Sequence, residues 1–151
     1  MKSRISKLVQ LCALMVAIGL SVPGWAQSSS QYQSQVLLQL QLVQAVVAQQ
    51  WGVTLHPTHE VFYVDLSNNT YQEVRYTLYA GVTYVFVGAC DRDCSSLQLK
   101  LYDGYGQLIA RDNGVIPAVS TTVAQSGVFY LRVSMHACEV QPCWAGIGVY
   151  R

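Results

Sequence analysis

The chain has 151 residues, and its nine Lys and Arg side chains nearly balance eight Asp and Glu, which gives a formal net charge of +1 at pH 7. Removal of residues 1–26, which hold three basic residues and no acidic one, would leave a net charge of −2. Neither value gives the strongly positive field of proteins that bind nucleic acid or anionic membranes, so we expect neither partner. The remaining length fits one domain.

The first 26 residues have the three parts of a secretory signal peptide. Lys2, Arg4 and Lys7 form a basic start, and the stretch from Leu8 to Val22 is uncharged and mostly apolar. The segment Pro23-Gly24-Trp25-Ala26 follows with small residues for cleavage. Because the apolar stretch is shorter than the roughly 20 residues that span a bilayer, we expect cleavage rather than anchoring. The protein is then predicted to be periplasmic or extracellular, with no membrane span after cleavage.

The segment that follows changes from polar to amphipathic. Residues 27–31 (QSSSQ) are small and polar and predict a disordered leader. From Tyr32 to Trp51 apolar residues recur near a 3.6-residue period, which predicts a helix with Gly52 just beyond its end. The apolar positions are Val36, Leu37, Leu40, Val43, Val46 and Val47. Two roles fit this helix: it packs across the open side of a sheet, or it forms an interface for self-assembly.

Residues 53–151 have the two-residue periodicity of β-strands. Short segments rich in Val, Tyr, Phe, Leu and Thr alternate with turn residues, and no helical pattern stands between them. The predicted strands are Glu60 to Leu66, Glu73 to Tyr79, Thr83 to Ala89, Leu97 to Tyr102, Leu108 to Arg111, Val119 to Ala124, Val128 to Met135 and Ala145 to Tyr150. The predicted fold is therefore all-β, an antiparallel jelly-roll-like sandwich of about eight strands preceded by one helix.

Three turn residues carry local expectations. Gly81 and Gly127 each stand in a short turn, where we expect a positive φ that favours glycine. Asp103 opens the loop Asp103-Gly104-Tyr105-Gly106, and its carboxylate is expected to accept a hydrogen bond from its own backbone two residues further on. These residues are predicted to act in folding rather than in ligand binding.

The order of strands and turns resembles the bacterial pre-peptidase C-terminal domain, from about residue 76 onward. The similar segments are Tyr76 to Ala89, Leu97 to Asn113, Val123 to Val133 and Gly146 to Tyr150. The resemblance implies a jelly-roll sandwich that serves as a substrate- or surface-binding accessory module of exported enzymes and is associated with calcium in some members. The module is expected to be a stand-alone copy without a catalytic domain in front, and its four later cysteines are an addition to the pattern.

The cysteines predict disulfides. Cys12 would leave with the signal peptide, and an exported chain with Cys90, Cys94, Cys138 and Cys143 is expected to form two bridges rather than a zinc or redox site. Local pairing within each loop is geometrically natural because each pair brackets a turn. Crossed pairing would join the two loops, which both follow strands expected to run in the same direction. The spacing leaves this choice open.

Other clusters of reactive residues are weak. His56, His59 and His136 have no accompanying nucleophile signature, and no pair of carboxylates can be nominated for acid–base chemistry. Asp91 and Asp93 flank Arg92 between the first two cysteines; they are expected to be solvated, and a calcium site there is a less favoured alternative. No other cofactor is expected.

These observations predict an exported, non-catalytic binding module. Its ligand is expected to be a cell-surface polymer, a polysaccharide or an envelope protein, and Tyr105 and Trp144 are the aromatic residues expected to be exposed for binding. The alternative is a structural or stress-protective envelope protein that assembles through its N-terminal helix. An enzyme is a distant third hypothesis.

Overall fold

The computed structural model describes residues 29–52 and 54–151, and the predicted signal peptide lies outside them. One helix and eight strands form in these residues. They are α1 (Ser29–Trp51), β1 (Phe62–Leu66), β2 (Tyr71–Leu78), β3 (Thr83–Cys90), β4 (Cys94–Tyr102), β5 (Leu108–Gly114), β6 (Ala118–Thr122), β7 (Gly127–Cys138) and β8 (Cys143–Tyr150). Each predicted strand is present, with ends that differ by a few residues.

The strands form two four-stranded sheets. Sheet I has the order β1-β8-β3-β6 and sheet II the order β2-β7-β4-β5, and every pairing between neighbours is antiparallel. Except for β4 and β5, which pair with each other, consecutive strands lie in different sheets, and this is the arrangement of a jelly roll. The predicted antiparallel jelly-roll-like sandwich is confirmed.

The main core lies between the two sheets. Leu97, Leu99 and Leu101 of β4 point inward and are fully buried, as their alternation with polar residues predicted. Leu131, Val133 and Met135 on β7 and Phe86 and Ile147 on sheet I complete the centre of this core. Burial of each such side chain stabilises the fold by roughly 1.5 to 3 kcal/mol.

Helix α1 covers the outer face of sheet I, where it contacts β8 and β3. Val36 and Leu40 are buried against Val87, Ala89 and Tyr150, so a second apolar cluster forms on this side of the sheet. The central strands of sheet I, β3 and β8, are therefore buried on both faces. Of the two roles predicted for the helix, packing across a sheet is present in the structure.

Helix α1 lies close to sheet I because β8 has glycine at positions that face the helix. A Cβ atom built on Gly146 would collide with Cγ1 of Val36, whose side chain occupies that space. The neighbouring outward position, Gly148, is covered by the ring of Tyr150. Two missing side chains thus let the helix approach the sheet closely.

Some helix predictions are wrong. The helix begins at Ser29, so residues 29–31 are helical rather than disordered, while residues 27 and 28 lie outside the described range. Leu37 and Val46, which belong to the predicted apolar face, are 38% and 56% exposed because the helix touches the sheet along a narrower stripe than the pattern suggested. The end of the helix is as predicted, with Gly52 at φ +66°.

One of the two predicted glycine turns is confirmed. Gly81 has φ +78°, in the left-handed region that favours glycine. Gly127 is instead the first residue of β7, and it does not adopt a positive φ. The prediction for Gly127 is wrong because the strand begins one residue earlier than expected.

Candidate functional site

The four later cysteines form two local disulfides at one end of the sandwich. Cys90 bonds Cys94 with a Cα–Cα distance of 5.9 Å, and Cys138 bonds Cys143 with a distance of 5.8 Å, both within the usual range. Cys94 and Cys138 are opposite each other in the β4–β7 pairing, so the two loops are neighbours. Two disulfides indicate a non-reducing environment for this protein.

Asp91 is not solvated, contrary to prediction. It is only 2% exposed, and its Oδ2 accepts a hydrogen bond of 2.7 Å from the backbone N–H of Trp144. Its Oδ1 is buried with no hydrogen-bond partner within the described residues. Burial raises the pKa of the Asp91 carboxyl, and the hydrogen bond from Trp144 partly opposes this shift. The loop folds inward because Asp91 also pairs with the Trp144 backbone through its own N–H, at 2.9 Å.

The loop between Cys90 and Cys94 has few groups that could bind a calcium ion. Asp93 is half-buried, and its backbone carbonyl accepts a hydrogen bond from the Glu139 N–H at 2.8 Å, which joins the two cysteine loops. Calcium takes six to eight oxygen ligands. In residues 29–52 and 54–151 no group of three or more His, Cys, Asp or Glu side chains could hold a metal ion. With one oxygen of Asp91 already bonded to a backbone amide, the residues present do not fit a calcium site.

Asn68 secures the second cysteine loop, and the sequence analysis missed it. Its side-chain oxygen accepts a hydrogen bond from the Cys138 N–H at 2.6 Å, and its amide nitrogen donates to the Cys138 carbonyl at 3.0 Å. The backbone N–H of Asn68 also donates to Oε1 of Gln141. The Asn-Asn pair signalled a turn after β1, but nothing in the sequence indicated that this turn would meet a loop 70 residues away.

Trp144 does not form the exposed aromatic surface that was predicted. It is half-buried and packs against the apolar cluster beneath the helix. Its position on β8 places it on the outer face of sheet I, the face that α1 covers. Its neighbourhood in the sequence suggested a solvent-exposed cysteine loop, and the helix removes that exposure.

Tyr105 is exposed as predicted. It stands at the tip of the β4–β5 hairpin with 91% of its surface accessible. The carboxylate of Asp103 accepts hydrogen bonds from the N–H groups of Tyr105 at 2.9 Å and Gln107 at 2.8 Å, which confirms the expected bond two residues on. The hairpin tip is therefore held in one conformation, and its aromatic ring is displayed on a fixed support.

A groove runs beside this ring. It has a volume of about 560 Å³ and lies between the β4–β5 hairpin and the loop from β6 to β7. Its walls are Asp103 to Tyr105, Ile109 and residues 121–129, which combine apolar side chains with hydroxyl groups and backbone carbonyls. We call this feature the hairpin groove.

The three histidines are not brought together as a metal-binding group in the described part of the chain. His56 pairs through its backbone with Arg151 beside the end of β8. His59 accepts or donates a 2.9 Å hydrogen bond with the hydroxyl of Thr58, and its ring stands edge-on to Tyr76. His136 is exposed on β7 of the other sheet.

A second surface was also missed: the outer face of sheet II. No described element covers it, and strand register brings basic and aromatic side chains together there. We call it the basic–aromatic face. Its members are Tyr71, Glu73, Arg75, Lys100, Tyr102, Arg111, Tyr130 and Arg132. These residues stand in strands whose side chains alternate between the two faces of the sheet. That alternation predicts that they face outward, but it does not predict that they lie next to one another.

Comparisons with known proteins add no family to these observations. A scan against protein-family models found no match, and a search of curated proteins found no similar sequence. Within residues 29–52 and 54–151, no helix has the length and apolar character needed to cross a bilayer.

Proposed function

We propose that the protein is an exported, non-catalytic binding module that attaches to a polysaccharide of a cell surface at the hairpin groove. The observation that carries this proposal is the ring of Tyr105, almost fully exposed on a hairpin fixed by Asp103. The predicted signal peptide and the two disulfides support a periplasmic or extracellular location. The resemblance to pre-peptidase C-terminal domains supports a binding role.

The chemistry of the groove suits a sugar chain. An exposed aromatic ring stacks on the C–H face of a sugar, and tyrosine loses little conformational entropy because it has only two rotatable side-chain bonds. Asp103 and Thr121 line the same groove, and their carboxylate and hydroxyl groups are of the kind that bonds sugar hydroxyls. The groove is open rather than enclosed between its two loops, so a polymer can pass through it.

The test is a binding screen against immobilised neutral glycans. Tyr105→Ala is expected to weaken binding by about tenfold or more, as for an exposed aromatic contact residue. Tyr105→Phe should retain most of the affinity because the ring remains. Tyr79→Ala is the matched control: Tyr79 is also an exposed tyrosine, but it neither lines the hairpin groove nor belongs to the basic–aromatic face. Equal affinity of the parent and Tyr105→Ala for every glycan would refute the groove as the site.

Self-assembly through the helix is a second candidate, favoured by one observation. Leu38, Leu42 and Val46 are 57%, 57% and 56% exposed and follow one another at four-residue intervals, so they form one stripe on the helix surface. Residues 29–51 contain no charged side chain. An uncharged apolar stripe can pack against its own copy in a symmetric dimer without like-charge repulsion.

This candidate is tested by sedimentation. Leu38→Gln/Leu42→Gln is expected to dissociate any oligomer while the melting temperature of the monomer stays unchanged, because neither side chain contributes to the core. Deletion of the helix is a poorer test, since α1 also covers sheet I. A parent protein that sediments as a monomer at every concentration would exclude assembly through this stripe.

A further inference from the structure

The outer face of sheet II concentrates the positive charge of the protein. Residues 29–151 contain six Lys and Arg residues, and four of them lie on the basic–aromatic face: Arg75, Lys100, Arg111 and Arg132. Glu73 is the only acidic residue at an outward position of these four strands. The face therefore carries a charge of about +3, whereas residues 29–151 as a whole carry −2.

Strand register places these charges in a row. Arg132 on β7, Lys100 on β4 and Arg111 on β5 are direct cross-strand neighbours. Adjacent strands are about 4.8 Å apart, so three positive side chains leave the sheet within about 10 Å. Like charges directly opposite each other destabilise a sheet. The row is therefore unfavourable for folding, and an anion bound across it would offset the repulsion.

Most of these charges have no partner inside the protein. Arg132 forms the single ion pair found among the described residues, with Glu73 at 2.8 Å. Arg75, Lys100 and Arg111 form no salt bridge or side-chain hydrogen bond within residues 29–52 and 54–151. Their charges are available to an external ligand.

The aromatic residues fix one cation and leave one ring free. The Arg132 guanidinium lies 4.4 Å from the ring centre of Tyr71 and 5.2 Å from that of Tyr102. These contacts, together with Glu73, hold Arg132 in place. Tyr130 is the next outward residue along β7 and is 38% exposed, so its ring can contact a ligand beside the cationic row.

We propose that the basic–aromatic face is a binding site for an acidic polysaccharide, whose carboxylate or sulfate groups pair with Arg75, Lys100 and Arg111 while a sugar ring lies on Tyr130. A single-stranded nucleic acid fits less well, because such ligands need several free rings for successive bases and two of the three tyrosines here contact Arg132.

The test compares two double variants that remove the same charge. Lys100→Gln/Arg111→Gln removes two cations from the face, whereas Arg92→Gln/Arg151→Gln removes the two basic residues outside it. Binding of the disulfide-bonded protein to polygalacturonate, dextran sulfate, neutral dextran and an oligothymidylate is titrated at low and moderate salt. We expect both acidic polymers to bind and neutral dextran to fail. The face variant should lose about tenfold or more in affinity, with a shallower salt dependence, and the control variant far less.

Several results would overturn the proposal. Absence of binding to both acidic polymers, equal losses in the two double variants, or tighter binding of the oligothymidylate than of either polysaccharide would each do so. The basic–aromatic face and the hairpin groove share no lining residue, so Tyr105→Ala should leave binding of the acidic polymers unchanged. A loss with Tyr105→Ala and none with the face variant would assign the acidic polymer to the groove instead. The face side chains are not part of the core, so equal melting temperatures are expected to confirm that all variants fold.

Discussion

The two sheets of the sandwich share one core but differ in what covers their outer faces. Sheet I lies under helix α1, which buries Val87, Ala89 and Tyr150, so β3 and β8 are buried almost continuously. Sheet II has no cover among the described elements, and β4 and β7 alternate between buried and accessible positions. A strand buried on both faces needs apolar or small residues throughout, whereas a strand buried on one face needs them at every second position.

This difference divides the constraints on the sequence. On sheet I both faces must satisfy packing, which explains the small residues Ala145, Gly146 and Gly148 in β8. On sheet II the outward positions contribute little to packing and are free to carry charge and aromatic rings. The candidate binding chemistry is accordingly found on sheet II and its β4–β5 hairpin, and the structural contact is found on sheet I.

The largest expected effect is loss of the cover over sheet I. Leu40→Ala, at a position only 1% exposed between α1 and the sheet, should lower the free energy of unfolding by about 2 to 5 kcal/mol. Leu42→Ala is the matched control, since Leu42 is 57% exposed on the same helix and should cost less than about 0.5 kcal/mol. Urea denaturation measures both. Equal losses would contradict the packing of α1 on sheet I.

A smaller effect is expected from adding a side chain to β8 where it faces the helix. Gly146→Ala puts a methyl group against Val36 and should cost about 1 to 3 kcal/mol, because the helix must shift outward. Gly127→Ala is the control, since a Cβ there meets no atom within 4 Å. The double variant Gly146→Ala/Val36→Ala should recover part of the loss in a double-mutant cycle. A strictly additive cycle would show that the two residues do not touch.

The stability of the protein should also depend on pH, because one carboxyl group beside sheet I is buried. Burial raises the pKa of Asp91, at the end of β3, above its ordinary value of 3.8. The folded state then holds a proton more tightly than the unfolded state, so the contribution of Asp91 to stability is fully present at low pH and is lost as pH rises from about 4 through the raised value. Melting temperatures between pH 4 and 7 should show this fall in the parent and a flatter profile in Asp91→Asn.

The control for this experiment is Asp65→Asn, which removes an exposed carboxylate from β1 of the same sheet. It should keep the slope of the parent. If Asp91→Asn kept that slope as well, the pH dependence would arise elsewhere and the carboxyl of Asp91 would not be responsible.

Much of this architecture could be predicted from local patterns. The inward face of β4 was predicted from the alternation of Leu97, Leu99 and Leu101 with polar residues. The turn residues between the strands predicted all eight strands. What escaped prediction depends on contacts distant in sequence. Asp91 is buried because its loop folds against the backbone of Trp144, and Trp144 is half-buried because a helix some 100 residues earlier crosses its strand. A five-residue motif contains no information about either neighbour.

The basic–aromatic face was not predicted from the sequence for a related reason. Arg75, Lys100, Arg111 and Arg132 are separated by 11 to 25 residues in the chain, and only the order β2-β7-β4-β5 brings them side by side. The net charge of −2 for residues 29–151 concealed a local excess of positive charge. Composition describes the average of a surface, whereas a binding site depends on how charge is distributed over it.

The smallest expected effect bears directly on that distribution. Lys100 stands between Arg132 and Arg111, so Lys100→Gln should leave the free energy of unfolding unchanged or raise it by a few tenths of a kcal/mol through relief of repulsion. Lys100→Arg keeps the charge and is the control. Any gain should disappear in high salt, which screens exposed charges. A clear loss of stability in Lys100→Gln would mean that Lys100 supports the fold. The outward positions of sheet II would then not be free of structural constraint, and the contrast with sheet I would be wrong at the residue in the centre of the cationic row.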